Sequence, residues 1–202
     1  MSYTAKTAFE ARVTNNRNDD LVNVTGRYQA SSADADCDAG RLVVRNGQLP
    51  CAGFTNVKNE NAWYMNDATS TTNAGDVVYA ANTYEVPLIA GQGGNLYAVG
   101  TQTLGLGIPA GRDGTFTEIV FDGKHAYRFG IGNVNAALST NKFFTIDAGQ
   151  LKPAAAAPTA NGALYFKLKD PGTGNFTEGT TSSFEYVDVI AFTAVAAVAA
   201  GG

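Results

Sequence analysis

The sequence predicts a mainly β protein, an antiparallel β-sandwich or barrel with long Gly-rich loops and an N-terminal arm. Two observations predict this fold class. Short runs of β-branched and aromatic residues alternate with Gly, Pro and Asn turn signals along most of the chain. Beyond the N-terminus, no stretch has the i, i+3, i+4 apolar spacing of a helix. The 202 residues are 45% hydrophobic, which is sufficient for a packed core.

The first 36 residues are predicted to form an N-terminal arm and a polar loop, and residues 37–202 a β-rich domain. Apolar residues between Ala5 and Val13 fall at helical spacing, which permits a short helix. An extended arm is equally consistent, because the polar segment 15–20 follows at once. We also expect no secretory signal, since the first ten residues contain no apolar core.

From residue 37 onward, the chain is predicted to consist of strands joined by turns. The strongest strand patterns cover residues 41–45, 62–65, 76–86, 95–99, 143–146, 163–169 and 184–193. Residues 115–130 are predicted to form a hairpin, because Asp122-Gly123 is a type I′ turn signal between two apolar runs. Residues 153–158 have a proline at each end, and we predict a stiff connector there. It is also the boundary we expect if the chain divides into two β domains.

Two cysteines, Cys37 and Cys51, flank a segment that contains the turn signal Asn46-Gly47. If the chain folds back at that turn, the two sulfurs come near each other and a disulfide is conceivable. Without a secretory signal, we instead favour two reduced, small, half-buried residues. Two cysteines and one distant histidine do not make a zinc site.

Motifs for catalysis are absent from the sequence. His125 is the single histidine, and no Gly-x-Ser-x-Gly nucleophile motif accompanies it, so we expect an ordinary strand residue. The stretch from Gly105 to Ala110 has the spacing of a dinucleotide-binding loop, but it opens no helix and is interpreted as a turn. No catalytic or cofactor-binding residue is predicted, and the protein is not expected to be an enzyme.

One acidic loop resembles a calcium ligand set. Asp34, Asp36 and Asp38 stand at alternate positions and could converge on Ca²⁺ if the loop curls. However, Gly40 is one place late for an EF-hand turn, and Arg45 stands where the bidentate glutamate belongs. We therefore predict a solvated acidic loop that leads into a strand, and no metal ion.

The aromatic residues permit a second function class, a receptor- or carbohydrate-binding β module. Aromatic side chains on one face of a sheet could stack on sugars, although at strand spacing such residues more often build a core or a subunit interface. The candidates are Trp63, Tyr64, Tyr79, Tyr84, Tyr97 and Tyr127.

Charge is scarce throughout the chain. Lys and Arg total 14, Asp and Glu total 18, and charged residues make up only 16%, against about 25% in an average globular protein. This composition excludes a basic nucleic-acid binder and leaves a neutral surface that suits contacts between subunits. The apolar run from Val189 to Ala200 is too short for a membrane span of about 20 residues, so a buried last strand and a small-residue tail are predicted.

Several blocks of the sequence together resemble the small head decoration (cement) proteins of tailed bacteriophages. The resemblance runs from about Cys37 onward and rests on packing and turn residues. The blocks are Cys37-Asp38-Ala39-Gly40, Ala62-Trp63-Tyr64-Met65, residues 78–84 (VYAANTY), residues 103–111 (TLGLGIPAG), residues 127–133 (YRFGIGN) and residues 141–146 (NKFFTI).

This resemblance implies a structural virion protein without catalytic residues, made in the host bacterial cytoplasm. It would bind the major capsid protein on the outer surface of the capsid and stabilise the expanded shell. It would also bind itself as a symmetric homo-oligomer, for which we expect a trimer. Neither nucleic acid nor membrane is an expected partner.

Overall fold

The computed structural model describes residues 7, 9–12, 22–51, 53–82, 107–138, 142–178 and 182–195. These residues form twelve β-strands in two sheets, together with a 3-10 turn at Ile131–Asn133. The two sheets pack against each other across a shared apolar core. The predicted mainly β, sandwich-like fold is therefore confirmed.

The first sheet is open and antiparallel throughout its described pairings. It is here called the six-stranded sheet, to distinguish it from the second sheet, which closes into a barrel. In spatial order its strands are β1 (Phe9–Arg12), β8 (Asp122–Gly130), β12 (Ser182–Thr193), β11 (Leu164–Glu178), β9 (Phe143–Asp147) and β10 (Gln150–Ala154). Its two edge strands, β1 and β10, are short, and β10 contains Pro153. Both features discourage edge-to-edge pairing with other chains.

The second sheet closes on itself. In spatial order its strands are β3 (Ala33–Asp34), β2 (Asn23–Ala30), β5 (Phe54–Asp67), β4 (Leu42–Cys51), β6 (Val78–Ala81) and β7 (Gly114–Glu118). Because β2 pairs with β7 as well as with β5, strands β2, β5, β4, β6 and β7 form a ring, here called the barrel. The β2–β5 pair is parallel, a departure from the predicted antiparallel arrangement.

Strand β6 and the first two residues of β4 are buried on both faces, and this joins the barrel to the six-stranded sheet. Val43 and Tyr79 belong to the cluster inside the barrel. Their neighbours Leu42, Val78 and Ala80 belong to the core between the sheets. Since successive strand residues point to opposite faces, one pair of strands lines both cores.

The barrel interior depends on two glycines that face each other across β2 and β7, Gly26 and Gly114. A Cβ at Gly26 would lie 2.7 Å from Met65 Cγ, and a Cβ at Gly114 would lie 2.4 Å from Ile108 Cδ1. Met65 and Ile108 are both fully buried and occupy the space that side chains at these positions would need. Met65 and Ile108 can pack inside the barrel because glycine has no side chain at positions 26 and 114.

The hairpin predicted for residues 115–130 is wrong. β7 pairs with β2 and β6, whereas β8 pairs with β1 and β12 in the other sheet. Asp122 instead accepts hydrogen bonds from the backbone N–H of Lys124 and of His125, so the Asp-Gly signal marks a local turn where the chain enters β8. A turn signal alone does not decide which strands pair.

The chain does not fold back at Asn46-Gly47, the condition on which a disulfide between Cys37 and Cys51 depended. Asn46 and Gly47 oppose the single residue Tyr64 and form a bulge inside β4, which runs on to Cys51. Cys37 lies in a different place, where its backbone N–H and C=O exchange hydrogen bonds with Ile108. Both cysteines are free thiols, and Cys37 is fully buried.

The region predicted as an arm and polar loop, residues 1–36, contains strands β1, β2 and β3. β1 is extended rather than helical, and β2 is a member of the barrel. On the other side of the proposed boundary at residues 153–158, β11 lies beside β9 in the same sheet. Residues 83–106 lie outside the described part of the chain. They include the predicted strand at 95–99, the end of the predicted strand 76–86 and the part of the Gly-rich block 103–111 that precedes Gly107.

Candidate functional site

An ion pair with an aromatic partner lies at one end of the barrel strands. Arg41 donates from Nε and Nη2 to the two carboxylate oxygens of Asp67, at 2.5 and 2.6 Å. Tyr28 donates its hydroxyl to Asp67 at 2.8 Å, and the Arg41 guanidinium lies 5.1 Å from the centre of the Tyr28 ring. The bidentate geometry fixes all three side chains at this end.

These contacts change the pKa values of the groups that make them. Burial raises the pKa of the Tyr28 hydroxyl well above its ordinary value, and the Asp67 charge adds to the effect. Burial alone would lower the pKa of Arg41, but the hydrogen bonds and charge of Asp67 outweigh it and raise that pKa. Burial also raises the pKa of the Cys37 thiol, which leaves it protonated and a poor nucleophile.

Further along β4, Arg45 covers two of the aromatic residues. Its guanidinium lies 3.9 Å from the Trp63 ring centre and 4.9 Å from the Tyr79 ring centre. Cation–π contacts of this kind stabilise by about 0.5–1 kcal/mol at exposed sites. An arginine thus holds one face of Trp63.

The aromatic residues proposed for sugar binding do not gather on one open face. Tyr79 and Tyr127 are buried in two different cores. Trp63 and Tyr64 are successive residues of β5 and so point to opposite faces of the strand. Tyr84 and Tyr97 lie outside the described residues.

The acidic loop uses its carboxylates within the protein. Asp34 accepts a hydrogen bond from Gln29 Nε2 at 3.1 Å and lies 3.7 Å from Arg27 Nη1. Asp36 accepts the backbone N–H of Ala110 at 2.9 Å. Across the described part of the chain, no three His, Cys, Asp or Glu side chains are grouped to hold a metal ion.

His125 forms a pair with Asp122 at the start of β8. Its Nδ1 lies 2.9 Å from Asp122 Oδ2. Burial opposes ionisation of Asp122, but the hydrogen bonds from the Lys124 N–H and from His125 outweigh it and lower the pKa of that carboxyl. The pair therefore stabilises the turn that leads into β8.

A cleft of about 290 Å³ lies beside this turn, where the barrel meets the six-stranded sheet. Asp76, Glu118 and Asp122 are among its lining residues. Asp76 accepts the backbone N–H of Asn73, and Asp122 holds the β8 turn. Two of the three acids thus have structural partners, and the described residues around the cleft do not combine a base, a nucleophile and an oxyanion donor.

A second, partly buried ion pair lies on the six-stranded sheet. Arg128 and Asp188 face each other across β8 and β12 and form two hydrogen bonds of 2.7 and 2.8 Å. The Arg128 guanidinium stacks on the Tyr186 ring at 3.6 Å. Asp188 lies opposite an irregularity in β11 between Leu168 and Thr173, at the point where the β11–β12 hairpin leaves the rest of the sheet.

The distal part of that hairpin is the most distinctive surface feature. Residues 175–178 and 182–185, here called the β11–β12 arm, pair only with each other in the described structure. The pairs include Phe176 opposite Phe184. A two-stranded ribbon leaves a row of backbone N–H and C=O groups on each outer edge, which a neighbouring strand can use.

A second ribbon extends from the barrel. Residues 46–51 and 54–61, here called the β4–β5 arm, have ladder partners only in β4 and β5 among the described residues. Leu49 is buried on this arm, whereas Val57 is 51% exposed. Neither arm is predicted by the sequence, because strand patterns give no information about how far a hairpin extends beyond its sheet.

No helix in the described part of the chain is long and apolar enough to cross a membrane. Comparison with known proteins gives no assignment: no family model matches the chain, and neither does any curated protein or solved structure. The resemblance to phage decoration proteins therefore stays a prediction.

Proposed function

We propose that this protein is a structural virion protein that binds the outer surface of a phage capsid and stabilises the expanded shell. In this proposal it acts as a decoration protein, contacts the major capsid protein and forms a homo-oligomer, with a trimer as the expected number. The β11–β12 arm is the observation that carries the proposal. The sequence resemblance gives the capsid as the partner.

The arm supports a role in assembly because its described strands pair only with each other. A two-stranded hairpin in water is only marginally stable and gains stability when a third strand or a packed surface completes it. Residues 175–178 and 182–185 have no third strand in the described structure. An ordered neighbour, such as a capsomer or a second subunit, would supply one.

The composition of the arm fits a buried contact. Residues 175–185 contain two glutamates, no lysine or arginine, and otherwise Asn, Thr, Gly, Ser and two phenylalanines. Interface cores are depleted of charge and enriched in aromatic residues. The low charge of the whole chain, 16%, follows the same trend.

Binding of this kind explains how the shell would be stabilised. A ligand that binds only the expanded state shifts the equilibrium toward that state by mass action, by about 2.7 kcal/mol per site at a concentration 100 times Kd. Repetition over many sites makes modest individual affinities sufficient, above all when one oligomer bridges several capsomers.

The alternative, a receptor- or carbohydrate-binding β module of a phage tail or fibre, has no comparable support. This hypothesis was based on aromatic side chains that would share one open face of a sheet. In the structure, however, Arg45 lies over the Trp63 ring, and Tyr79 and Tyr127 are buried. A glycan array with the purified protein tests it directly. Binding that is lost in Trp63→Ala and kept in Tyr64→Ala would favour it.

The decisive experiment mixes the purified protein with undecorated mature heads and, separately, with precursor shells. We expect binding to the mature heads alone and an increase in their resistance to heat. The test variant replaces residues 175–185 with Asn-Gly, which closes a type I′ turn between the paired residues Gly174 and Tyr186. Ser70→Ala, at an exposed position in the turn after β5, is the matched control.

The shortened variant is expected to fold, because the removed pairs contact no other strand of the described sheet. It should lose head binding while the control keeps it. Failure of the intact protein to bind either kind of shell would overturn the proposed function. Equal binding by the shortened variant would remove the arm as its basis.

A further inference from the structure

The end of the barrel opposite the pair of Arg41 and Asp67 carries a charged group that no acid of the described structure binds. Arg45 lies at this end, two residues beyond an interior position of β4 and therefore on the same face of the strand. Its guanidinium lies over the rings of Trp63 and Tyr79, which belong to the barrel. Within the described part of the chain, that guanidinium has no hydrogen bond or ion pair.

The two rings preorganise Arg45 for a carboxylate. A guanidinium has a planar fork of N–H donors that matches the two oxygens of a carboxylate, and stacking on rings reduces the number of orientations that it adopts. Arg27, Arg41 and Arg128 each bind an aspartate of this chain in the described structure. Arg45 offers the same donors at an exposed position, so an acid of another molecule can reach it.

A buried hydroxyl at the same end also lacks a partner. Tyr79 is 1% exposed, and its hydroxyl forms no hydrogen bond with any described residue. Burial raises the pKa of Tyr79, the Arg45 charge opposes that rise, and the Glu118 charge adds to it. The hydroxyl therefore lies within electrostatic range of Arg45 and keeps its proton at neutral pH. Since a buried donor without an acceptor is destabilising, it points to an acceptor that a ligand supplies.

Apolar side chains lie at the same end of the barrel as these two donors. Glu118, the last residue of β7, lies opposite Tyr79 and donates its backbone N–H to the Val22 carbonyl, so β2 and β6 both begin at this end. Val22 and Val77 directly precede these two strands and are 50% and 46% exposed. Trp63 is only partly buried. A ligand that covers these side chains excludes water from the guanidinium and strengthens its attraction to a negative charge.

We propose that this end of the barrel is a docking site for an acidic side chain on an otherwise apolar segment of a partner protein. The carboxylate accepts hydrogen bonds from the Arg45 guanidinium and the Tyr79 hydroxyl, and the apolar neighbours of the acid cover Val22 and Val77. These valines are roughly 9–10 Å or more apart, because β7 lies between their strands. A free anion such as phosphate matches the charge but leaves the valines exposed, so an acid within a peptide segment fits the site better. The site goes beyond the proposed function, which rests on the β11–β12 arm of the other sheet.

The experiment uses Trp63, the only tryptophan of the chain, whose fluorescence reports on this site alone. The full-length protein is titrated at pH 7 and constant ionic strength with the blocked peptide acetyl-Val-Glu-Val-amide, which spans roughly 10 Å when extended. We expect a saturable change in Trp63 fluorescence. The peptide acetyl-Val-Gln-Val-amide, which has nearly the same shape and no charge, should bind about tenfold more weakly, because hydrogen bonds to charged groups are the stronger ones.

Two variants separate the guanidinium from the hydroxyl. Arg45→Gln should abolish the response to the acidic peptide, whereas Lys58→Gln, which removes one positive charge from an exposed position of the β4–β5 arm, should bind it like the wild type. Tyr79→Phe should weaken binding about tenfold. Without peptide, Tyr79→Phe should be at least as stable as the wild type, because the hydroxyl that it removes has no partner among the described residues.

A titration without a saturable response, or equal binding of the two peptides, would overturn the site. A Tyr79→Phe protein that is less stable than the wild type without peptide would also overturn it, because the hydroxyl would then have a partner within the protein. Circular dichroism shows whether Arg45→Gln is folded, and if it is not, the Tyr79→Phe comparison decides. The measurement is made without capsids, so its failure is distinct from a failure to bind heads.

Discussion

The core between the sheets and the interior of the barrel are filled in different ways. Between the sheets, Phe129, Phe144 and Phe166 are fully buried among aliphatic side chains. Inside the barrel, Gly26 and Gly114 face inward and leave room for Met65 and Ile108. The larger core gains stability from the burial of large apolar side chains. The barrel, in contrast, can close because Gly26 and Gly114 have no side chains to fill its interior.

The largest expected effect is in the core between the sheets. Phe129→Ala removes a fully buried ring that contacts Phe9 and Phe166, so it leaves a cavity among rigid strands. We expect the free energy of unfolding to fall by about 3–5 kcal/mol. Chemical denaturation followed by circular dichroism measures it.

Val57→Ala is the control for this variant, because Val57 is 51% exposed on the β4–β5 arm. It should change the free energy of unfolding by less than about 0.5 kcal/mol. A loss below about 1.5 kcal/mol for Phe129→Ala would mean that the core relaxes around the cavity and that its packing is looser than the buried ring contacts indicate.

The barrel should respond to added volume instead. Gly26→Ala places a methyl group 2.7 Å from Met65 Cγ and 2.9 Å from Met65 Cε, so the methionine must move within a closed ring. We expect a loss of about 1–3 kcal/mol in the free energy of unfolding. The same substitution in a Met65→Ala background should cost less, because the two nearest opposing atoms are gone and the Trp63 carbonyl oxygen, 3.0 Å from the new Cβ, remains.

A double-mutant cycle separates this contact from a general intolerance of alanine in β2. Gly75→Ala serves as the control, since Gly75 lies in an exposed turn and a Cβ there would meet only Asn73 Oδ1, at 3.2 Å. If Gly26→Ala costs as much with alanine at position 65 as with methionine, steric exclusion by Met65 is not the reason for this glycine.

The two cores also differ in how well they could be predicted. In the larger one, strand patterns such as 143–146 and 184–193 identified β9 and β12 because their aromatic and β-branched residues alternate in the ordinary way. In the barrel, β2 was missed because its inward positions are Val24, Gly26 and Tyr28, and the central glycine interrupts the alternation. The positions of Met65 and of the Trp63 carbonyl oxygen explain that glycine.

The candidate site was less predictable than the fold. Arg41 and Arg45 lie at the two ends of a strand pattern, and sequence alone does not show that they cover Tyr28 and Trp63. Those contacts come from strand pairing between distant segments. The β11–β12 arm depends in the same way on where β8 and β9 stop pairing.

Each core contains a buried tyrosine hydroxyl, and the pair allows a comparison at alkaline pH. Tyr127 accepts the backbone N–H of Val120 at 2.8 Å, and burial raises the pKa of Tyr127 to about 12 from 10.0. Because the folded-state pKa lies above the unfolded value, this group's contribution to stability is complete below pH 10 and falls as the pH rises toward 12. Burial likewise raises the pKa of Tyr28 in the barrel.

Tyr127→Phe should flatten the alkaline decline while lowering stability at pH 7 by about 1–3 kcal/mol, since the Val120 N–H loses its acceptor. Tyr28→Phe should flatten the decline as well, and at pH 7 Arg41 still binds both oxygens of Asp67. Denaturation between pH 8 and pH 12 measures both variants. An alkaline decline that is unchanged in the double variant would show that neither hydroxyl controls it.

The smallest expected effect concerns Asp122 at the entrance to β8, where the chain leaves the barrel for the six-stranded sheet. Burial opposes its ionisation, but hydrogen bonds from Lys124 and His125 outweigh this and hold its pKa below the ordinary value of 3.8. Since the folded-state pKa lies below the unfolded one, the contribution is present above about pH 4 and is lost as the pH falls further. Asp122→Asn keeps an acceptor for the Lys124 N–H and removes the titration.

This variant should be nearly as stable as the wild type near pH 7 and should lose less stability between pH 4 and pH 2. Thermal unfolding at several acid pH values measures the difference, with Ser70→Ala as a control that keeps the wild-type profile. Because Asp122 is exposed, the effect is expected to be the smallest of the series. A variant that loses stability at all pH values would instead show that the β8 turn needs both carboxyl oxygens, since asparagine keeps the shape of the side chain and replaces one of these oxygens with an amide nitrogen.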